Sequence, residues 1–208
     1  VLGKRTGDVP CAGELSAVRV GETLQRLTGL EPPFRAAEFA DAPQPPARPP
    51  VLCAGCPHRA SFYAVKRAMK GRRAVFCGDI GCYTLGNAAP LGMVDTCLCM
   101  GAGITVAQGL DHAGEEGVCF AFVGDSTFFA SGMTGVANAV YNQADLVLVV
   151  LDNSTTAMTG HQPHPGLGTT MMRTQSEPIS IEAVLRALGV GSVRTVDPLE
   201  HEKAVEAV

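Results

Sequence analysis

The chain has 208 residues, of which 46% are hydrophobic, and a formal net charge of −4 at pH 7. This length and apolar content suffice for a medium-sized domain with a buried core, and the acidic balance argues against a surface that binds nucleic acid. The longest apolar stretch, Val118 to Val123, is far too short to cross a bilayer, and the N-terminus lacks a secretory signal, so we expect a cytoplasmic protein without a membrane partner.

The N-terminal part divides into a helix and a proline-rich segment. Leucine and valine residues recur at helical spacing between residues 14 and 28, and Gly29 is a stop signal. Residues 31–50 are rich in proline, which favours extended or polyproline conformation and indicates a linker. We therefore expect residues 1–30 to be the tail of a preceding domain and residues 51–208 to form the main domain.

From Val51 onward, predicted helices and strands alternate along the chain. In order they are a helix Ser61 to Met69, a strand Ala74 to Cys77, a helix Gly101 to His112, a strand Val118 to Val123, a helix Thr134 to Gln143, a strand Leu146 to Leu151, a helix Ile179 to Leu188, a strand Val193 to Val196 and a helix Pro198 to Val208. Continuously apolar strands between helices indicate an α/β fold, with a mostly parallel sheet covered by helices on both faces. Because the chain starts without methionine and ends inside a predicted helix, we expect a fragment of a longer protein.

Polar residues follow two successive strands of the predicted sheet. Val118 to Val123 leads into Gly124 and Asp125, and Leu146 to Leu151 leads into Asn153. Ligands of parallel sheets bind beyond the carboxyl ends of the strands, and carboxylate and amide oxygens suit Mg²⁺ together with phosphate groups. A helix predicted to start near Ser131 would point its positive end at such an anion. Either polar residue taken alone is better explained as a turn or cap residue, but their pairing favours a diphosphate site.

The sequence resembles thiamine diphosphate enzymes, in which Gly-Asp is followed by Asn about 28 residues later. Three longer segments are similar to indolepyruvate ferredoxin oxidoreductase α subunits: residues 78–86, residues 124–129 and residues 151–166. The resemblance implies the thiamine diphosphate-binding fold, with Mg²⁺ held by the Asp125 carboxylate, the Asn153 side chain and the Thr155 carbonyl. One departure is Ser126, where most thiamine enzymes carry a second glycine.

The resemblance also implies further contacts with the cofactor. Met100 resembles the bulky residue that supports the bent cofactor, although it fits an ordinary core position equally well. His161 and His164 lie in the loop after the magnesium ligands, and we expect them to be catalytic residues that contact the diphosphate or the substrate. The cofactor-binding positions implied by the match are Gly81, Cys82, Met100, Gly101, Gly124, Asp125, Ser126, Asn153, Thr155, Thr159 and Gly160.

The activity implied by the resemblance is oxidative decarboxylation of an aryl 2-oxo acid. The expected products are CO₂ and an acyl-coenzyme A, and electrons are expected to pass through iron–sulfur clusters to ferredoxin. The glutamate that activates the aminopyrimidine ring normally lies in a separate pyrimidine-binding domain, and the full subunit is paired with a β subunit. We therefore expect this chain alone to be inactive.

The chain has eight cysteines, which an intracellular protein uses for metals, redox chemistry or core packing. Cys53, Cys56 and Cys82 resemble three ligands of an iron–sulfur cluster, of the 4Fe-4S type, in pyruvate ferredoxin oxidoreductases. A matching fourth ligand is absent after Cys119, so Cys77, Cys97 or Cys99 would have to substitute, in a cluster or in a zinc site. The alternative is that all of these cysteines are packed or active-site thiols. His58 and Arg59 fit either a substrate carboxylate or a helix cap.

Two rival functions follow from the same residues. A non-oxidative thiamine-dependent decarboxylase or synthase would use the same magnesium site, although the Cys53 to Arg59 motif and the His161 loop argue against it. A structural module with zinc-binding cysteines would make the Gly124-Asp125 turn incidental.

Overall fold

The computed structural model describes residues 3–31 and 45–208. Two compact units divide between Arg48 and Pro49. The predicted extended conformation of the proline-rich linker falls largely on residues 32–44, which lie outside the described residues. In the described part of the chain, no helix combines the length and the apolar character needed to cross a membrane.

The first unit contains a short 3-10 turn, Lys4–Thr6, and the predicted amphipathic helix, α1 (Ala17–Thr28). Ser16 caps the helix N-terminus by accepting a hydrogen bond from the Arg19 backbone amide. Gly29 ends the helix at a φ of 71°, a left-handed conformation that glycine adopts without strain. The predicted stop at Gly29 is thus confirmed.

The second unit is built on a four-stranded parallel sheet. Its strands are β1 (Ala74–Gly78), β2 (Thr96–Cys97), β3 (Val118–Gly124) and β4 (Leu146–Leu151), in the order β2-β1-β3-β4. The register aligns the last residue of β3, Gly124, with the last residue of β4, Leu151. The two chains therefore leave the sheet side by side at its carboxyl edge.

Helices and turns connect the strands. The helices are α2 (Pro57–Ala68), α3 (Ala102–His112), α4 (Asp125–Thr127), α5 (Met133–Tyr141), α6 (Ile181–Ala187) and α7 (His201–Ala207), with a π-helical turn Phe128–Gly132 between α4 and α5. Short 3-10 turns occupy Cys82–Asn87, Ala157–Thr159 and Pro165–Leu167. The helix predicted to start near Ser131 is α5, which starts at Met133. The sequence did not predict the helical turns that precede it, which begin at Asp125 directly after β3. The Asp125 carboxylate accepts a hydrogen bond from the Ser126 amide, which stabilises this earlier first turn.

Alternate side chains of β3 pack into two separate hydrophobic cores. On one face, Ala121 and Val123 pack with Ile104 of α3 and Val136 of α5. On the other face, aromatic rings of the sheet pack with α2, and this core contains Phe62, Val65, Met69, Phe120 and Phe122. Both faces of the sheet are covered, which confirms the predicted α/β fold.

The predicted strand Val193 to Val196 was wrong, because in the described part of the chain this segment pairs with no strand. Val193 packs against the core, while neighbouring side chains bind nearby groups. The Arg194 guanidinium donates to the carbonyls of Glu206 and Ala207, at 3.3 Å each, and the Thr195 hydroxyl donates to Glu182 at 3.2 Å. Side-chain contacts, rather than ladder hydrogen bonds, hold this segment.

Replacing Phe122 with alanine tests the core on the α2 side of the sheet. The Phe122 ring is fully buried and lies 4.9 Å from the Phe62 ring, centre to centre. We expect Phe122→Ala to lower the free energy of unfolding by about 3–5 kcal/mol, through lost burial and the cavity left behind. Urea denaturation measures this free energy. The control variant Tyr141→Ala, at a position that is 87% exposed, should change the free energy of unfolding by no more than about 0.5 kcal/mol.

Candidate functional site

An open cleft of about 490 Å³ lies at the carboxyl edge of the sheet. Its walls come from the segments that follow β1, β3 and β4, together with the start of α2 and the turn before α3. This is the position at which parallel sheets bind their ligands. The cleft contains most of the predicted cofactor-binding residues: Gly81, Cys82, Met100, Gly124, Asp125, Ser126, Asn153, Thr155 and Thr159.

Asp125 provides a buried carboxylate beside this cleft. The residue is only 2% exposed, and its Oδ1 accepts a hydrogen bond of 2.7 Å from the Ser126 amide. Burial raises the pKa of Asp125, while the Ser126 amide and the nearby His164 act in the opposite direction. A buried carboxylate of this kind is stabilised by a cation, which fits a metal ligand.

The loop after β4 is tied to the loop after β3. The Thr156 hydroxyl donates a hydrogen bond of 2.7 Å to the Ser126 hydroxyl. Ser154 adopts a left-handed φ of 56°, and its backbone amide donates to the Asp152 carboxylate at 2.9 Å. Asn153 and Thr155 therefore face the same cleft as Asp125.

The two predicted histidines have different surroundings. His161 is exposed, has a left-handed φ of 61° and is not part of the cleft wall, although its backbone amide donates to the Thr156 carbonyl. His164 is buried, and its Nε2 lies 3.1 Å from Oδ2 of Asp125. Its contact is with the carboxylate, and a direct role of either histidine in catalysis stays a prediction.

The hydrogen bonds of His164 define which nitrogen carries the proton. Its Nδ1 accepts a hydrogen bond of 3.2 Å from the Gly166 amide, so in the neutral ring Nε2 bears the hydrogen and donates to Asp125. The ring also stacks on Phe129, with 5.8 Å between the ring centres. These contacts fix the orientation of the Asp125 carboxylate.

Asp79 is a buried carboxylate that the sequence reasoning did not assign. It follows β1, is fully buried, and accepts hydrogen bonds from the Tyr83 hydroxyl and, at 2.6 Å, from the Gly101 amide. Burial raises the pKa of Asp79, and these two hydrogen bonds oppose the effect. The Gly-Asp pair after β1, which repeats the Gly124-Asp125 pattern, was the available signal.

Two hydrogen bonds fix the backbone around Met100. The Gly101 amide donates to Asp79, and the Met100 carbonyl accepts a hydrogen bond of 3.0 Å from the Ser131 hydroxyl. The Met100 side chain is 45% exposed and lines the cleft, so it does not belong to the buried core. Gly101 itself has a φ of 85° and lies beside Ser131, which leaves little room for a side chain.

The three predicted cluster cysteines lie near one another, and Cys82 lines the cleft. Burial raises the pKa of Cys82, and the neighbouring Cys56 and Cys53 raise it further. Within residues 3–31 and 45–208, however, no group of three or more histidine, cysteine or acidic side chains is arranged to hold a metal ion. The iron–sulfur and zinc assignments at these cysteines stay predictions.

Tyr83 and His58 complete the cleft wall. The Tyr83 hydroxyl donates to Asp79, and its Oη lies 3.3 Å from the Thr127 hydroxyl oxygen, so it connects the ends of β1 and β3. His58 lines the cleft edge-on to Tyr83, and burial lowers the pKa of His58. Arg59 does not line the cleft, because its guanidinium donates to the carbonyls of Leu52 and Cys53.

Removing the Asp79 carboxylate should destabilise this edge of the sheet. Asp79→Ala leaves the Tyr83 hydroxyl and the Gly101 amide without their acceptor, and we expect the free energy of unfolding to fall by about 2–4 kcal/mol in urea denaturation. Asp79→Asn keeps an acceptor and should cost less.

The same pair of variants gives a pH test. Because burial raises the pKa of Asp79 in the folded chain, its contribution to stability falls as the pH rises through that raised value. Asp79→Asn should lose this slope, and an unchanged pH profile would contradict the assignment.

Comparisons with known proteins agree with this architecture. Residues 79–208 match the family model described as thiamine pyrophosphate enzyme, C-terminal TPP binding domain. In a solved structure of a 2-oxoglutarate:ferredoxin oxidoreductase from Magnetococcus marinus, with 2-oxoglutarate, coenzyme A and succinyl-CoA bound, the matching fold has a TM-score of 0.64 at 20% identity. It covers 77% of this chain and 58% of that one.

Curated relatives match over the whole chain. The indolepyruvate oxidoreductase subunit IorA of Archaeoglobus fulgidus is 44% identical over all of this chain, and that of Methanothermobacter marburgensis is 43% identical. The chain covers 34% of each of these relatives, about a third of their length. The 2-oxoglutarate synthase subunit KorB of A. fulgidus is 34% identical over 62% of the chain and 49% of that protein. The resemblance seen in the sequence is confirmed: this chain belongs to the thiamine pyrophosphate enzymes and carries their C-terminal TPP-binding domain.

Proposed function

We propose that this chain is the part of an indolepyruvate ferredoxin oxidoreductase that binds thiamine diphosphate and Mg²⁺. The observation that carries the proposal is the pairing of Asp125 and Asn153 at neighbouring strand ends, in one cleft of a TPP-binding domain. The reaction is oxidative decarboxylation of an aryl 2-oxo acid to CO₂ and an acyl-coenzyme A. The relatives named indolepyruvate oxidoreductase support this substrate class.

The residues around Asp125 fit a magnesium ion. The Asp125 carboxylate, the Asn153 side-chain oxygen and the Thr155 carbonyl are hard oxygen ligands, which Mg²⁺ prefers and completes with water and phosphate. Each Asp125 oxygen accepts one hydrogen bond within the protein, from Ser126 or His164, and retains a lone pair for the ion. Both hydrogen bonds hold the carboxylate in position before the ion binds.

The packing of Tyr83 against the turn after β3 requires glycine at position 124. A Cβ at this position would lie 2.8 Å from Cε1 of Tyr83, so only glycine leaves the turn in place. The Ser126 hydroxyl lies beside this turn and accepts its hydrogen bond from Thr156, so its own O–H is available as a donor to a phosphate oxygen.

Thiamine diphosphate supplies the nucleophilic carbon and the electron sink that decarboxylation of a 2-oxo acid requires. The chain's own residues anchor and orient this group: Asp125 and Asn153 through the metal, and Met100 through its side chain in the cleft. Cys53, Cys56 and Cys82 would supply three of the thiolates that hold an iron–sulfur cluster, and such a cluster would carry electrons towards ferredoxin. Coenzyme A, a pyrimidine-binding domain and a β subunit complete the active enzyme.

Replacing the magnesium ligand tests the proposed site. We expect Asp125→Ala to weaken binding of thiamine diphosphate with Mg²⁺ by at least about 100-fold. Mutation of a residue that only hydrogen-bonds to a metal ligand already lowers metal affinity by about 10- to 100-fold, and loss of a ligand itself should cost more. Titration calorimetry measures the affinity. Asp197→Ala, which removes an exposed carboxylate, should bind like wild type, and equal binding by Asp125→Ala would end the proposal.

The cluster assignment is tested separately by metal analysis. Chain purified without oxygen should contain about four irons and four sulfides if it holds one 4Fe-4S cluster. Cys56→Ser should remove them, whereas Cys11→Ser, at an exposed cysteine of the first unit, should not. Fewer than about two irons per wild-type chain would contradict a cluster in this segment.

A further inference from the structure

His58 and Arg59 are adjacent in sequence, but the fold gives them different partners. The Arg59 Nε donates a hydrogen bond of 2.9 Å to the Cys53 carbonyl, and a second nitrogen of its guanidinium donates to the Leu52 carbonyl. Arg59 therefore fastens the segment before α2 to the first turn of that helix. Its planar donors are engaged there, which leaves His58 as the member of the pair that faces the cleft.

The His58 side chain is buried without a hydrogen-bond partner. The residue is 3% exposed and lines the cleft, and among the described residues no hydrogen bond reaches its ring nitrogens. Its ring nitrogens are not among the fully buried unpaired polar atoms of the described residues, so they reach the open space of the cleft. A molecule bound in the cleft can therefore supply the hydrogen bond that the protein does not.

The position of His58 places it close to the proposed diphosphate site. Its ring meets the Tyr83 ring edge-on, with 6.2 Å between the ring centres. On the Gly124 side, Tyr83 approaches the turn so closely that a Cβ on Gly124 would collide with its ring. One aromatic ring thus separates His58 from the turn that precedes Asp125.

We propose that His58 is a ligand-binding residue whose imidazole N–H donates a hydrogen bond to an anionic oxygen of the molecule in the cleft. The inference rests on the proposed function, which supplies two groups with such oxygens, the cofactor diphosphate and the carboxylate of the 2-oxo acid. An imidazole has an N–H donor in either protonation state. The bond satisfies a side chain that the protein itself leaves unpaired.

The test compares two substitutions in the complete enzyme. H58F keeps an aromatic ring and removes the donor, while H58Q keeps an N–H donor on a side chain of similar reach. We expect H58F to raise either the dissociation constant for thiamine diphosphate with Mg²⁺ or the KM for indolepyruvate by about tenfold. Both constants of H58Q should stay within about threefold of wild type. H112F, at a half-exposed histidine at the end of α3, should leave both constants unchanged.

The two measurements identify the oxygen. A change in cofactor affinity, by calorimetry of the apoenzyme, assigns the bond to the diphosphate, and a change in KM alone assigns it to the substrate. Unchanged constants in H58F, or an equal loss in H58F and H58Q, would overturn the inference. If thermal unfolding shows that H58F is destabilised, H58A provides the variant without a donor. Wild-type enzyme that fails to bind thiamine diphosphate would instead refute the proposed function.

Discussion

The buried carboxylate of Asp125 is the constraint around which the cleft is organised. A charge that is 98% removed from solvent is costly unless donors or a cation surround it, and the protein provides the Ser126 amide and the His164 imidazole. His164 reaches this position because the chain after β4 folds back across the sheet edge, where its ring stacks on Phe129. The loop that carries Asn153 and Thr155 is therefore shaped by the same carboxylate that it joins in the proposed metal site.

The register between β3 and β4 determines whether these residues meet. Gly124 pairs with Leu151, so the two strands end together and their following residues enter one cleft. A slip by one residue would turn Phe120 and Phe122 towards the face occupied by α3 and α5, and would bring Ala121 and Val123 to the face of α2. Because β3 presents phenylalanine side chains to one core and smaller side chains to the other, packing inside the domain fixes the position of the polar residues at its edge.

The sequence predicted the sheet because β3 and β4 are continuously apolar. It predicted that Asp125 and Asn153 share one site because the strand ends of a parallel sheet lie at the same edge. It failed where a contact depends on tertiary structure alone. Val193 to Val196 has the composition of a strand, but its polar groups bond to Glu182 and to the carbonyls at the end of α7. His164 and Asp125 are 39 residues apart in the sequence, so no local pattern predicts their contact.

Asp79 and Asp125 show how one local pattern takes two roles. Each follows a glycine at the end of a parallel strand, and each is buried. Asp79 does not line the cleft, and its oxygens accept from Tyr83 and Gly101, so it holds the turn that presents Met100. Asp125 lines the cleft together with Asn153 and Thr155, which come from the loop after β4. The difference comes from the following segments: the chain after Asp79 turns back to cover it with Tyr83, whereas the chain after Asp125 continues as helix and leaves the carboxylate at the cleft wall. A strand-end carboxylate can thus reach a bound group only where the segment that follows leaves it at the cleft wall.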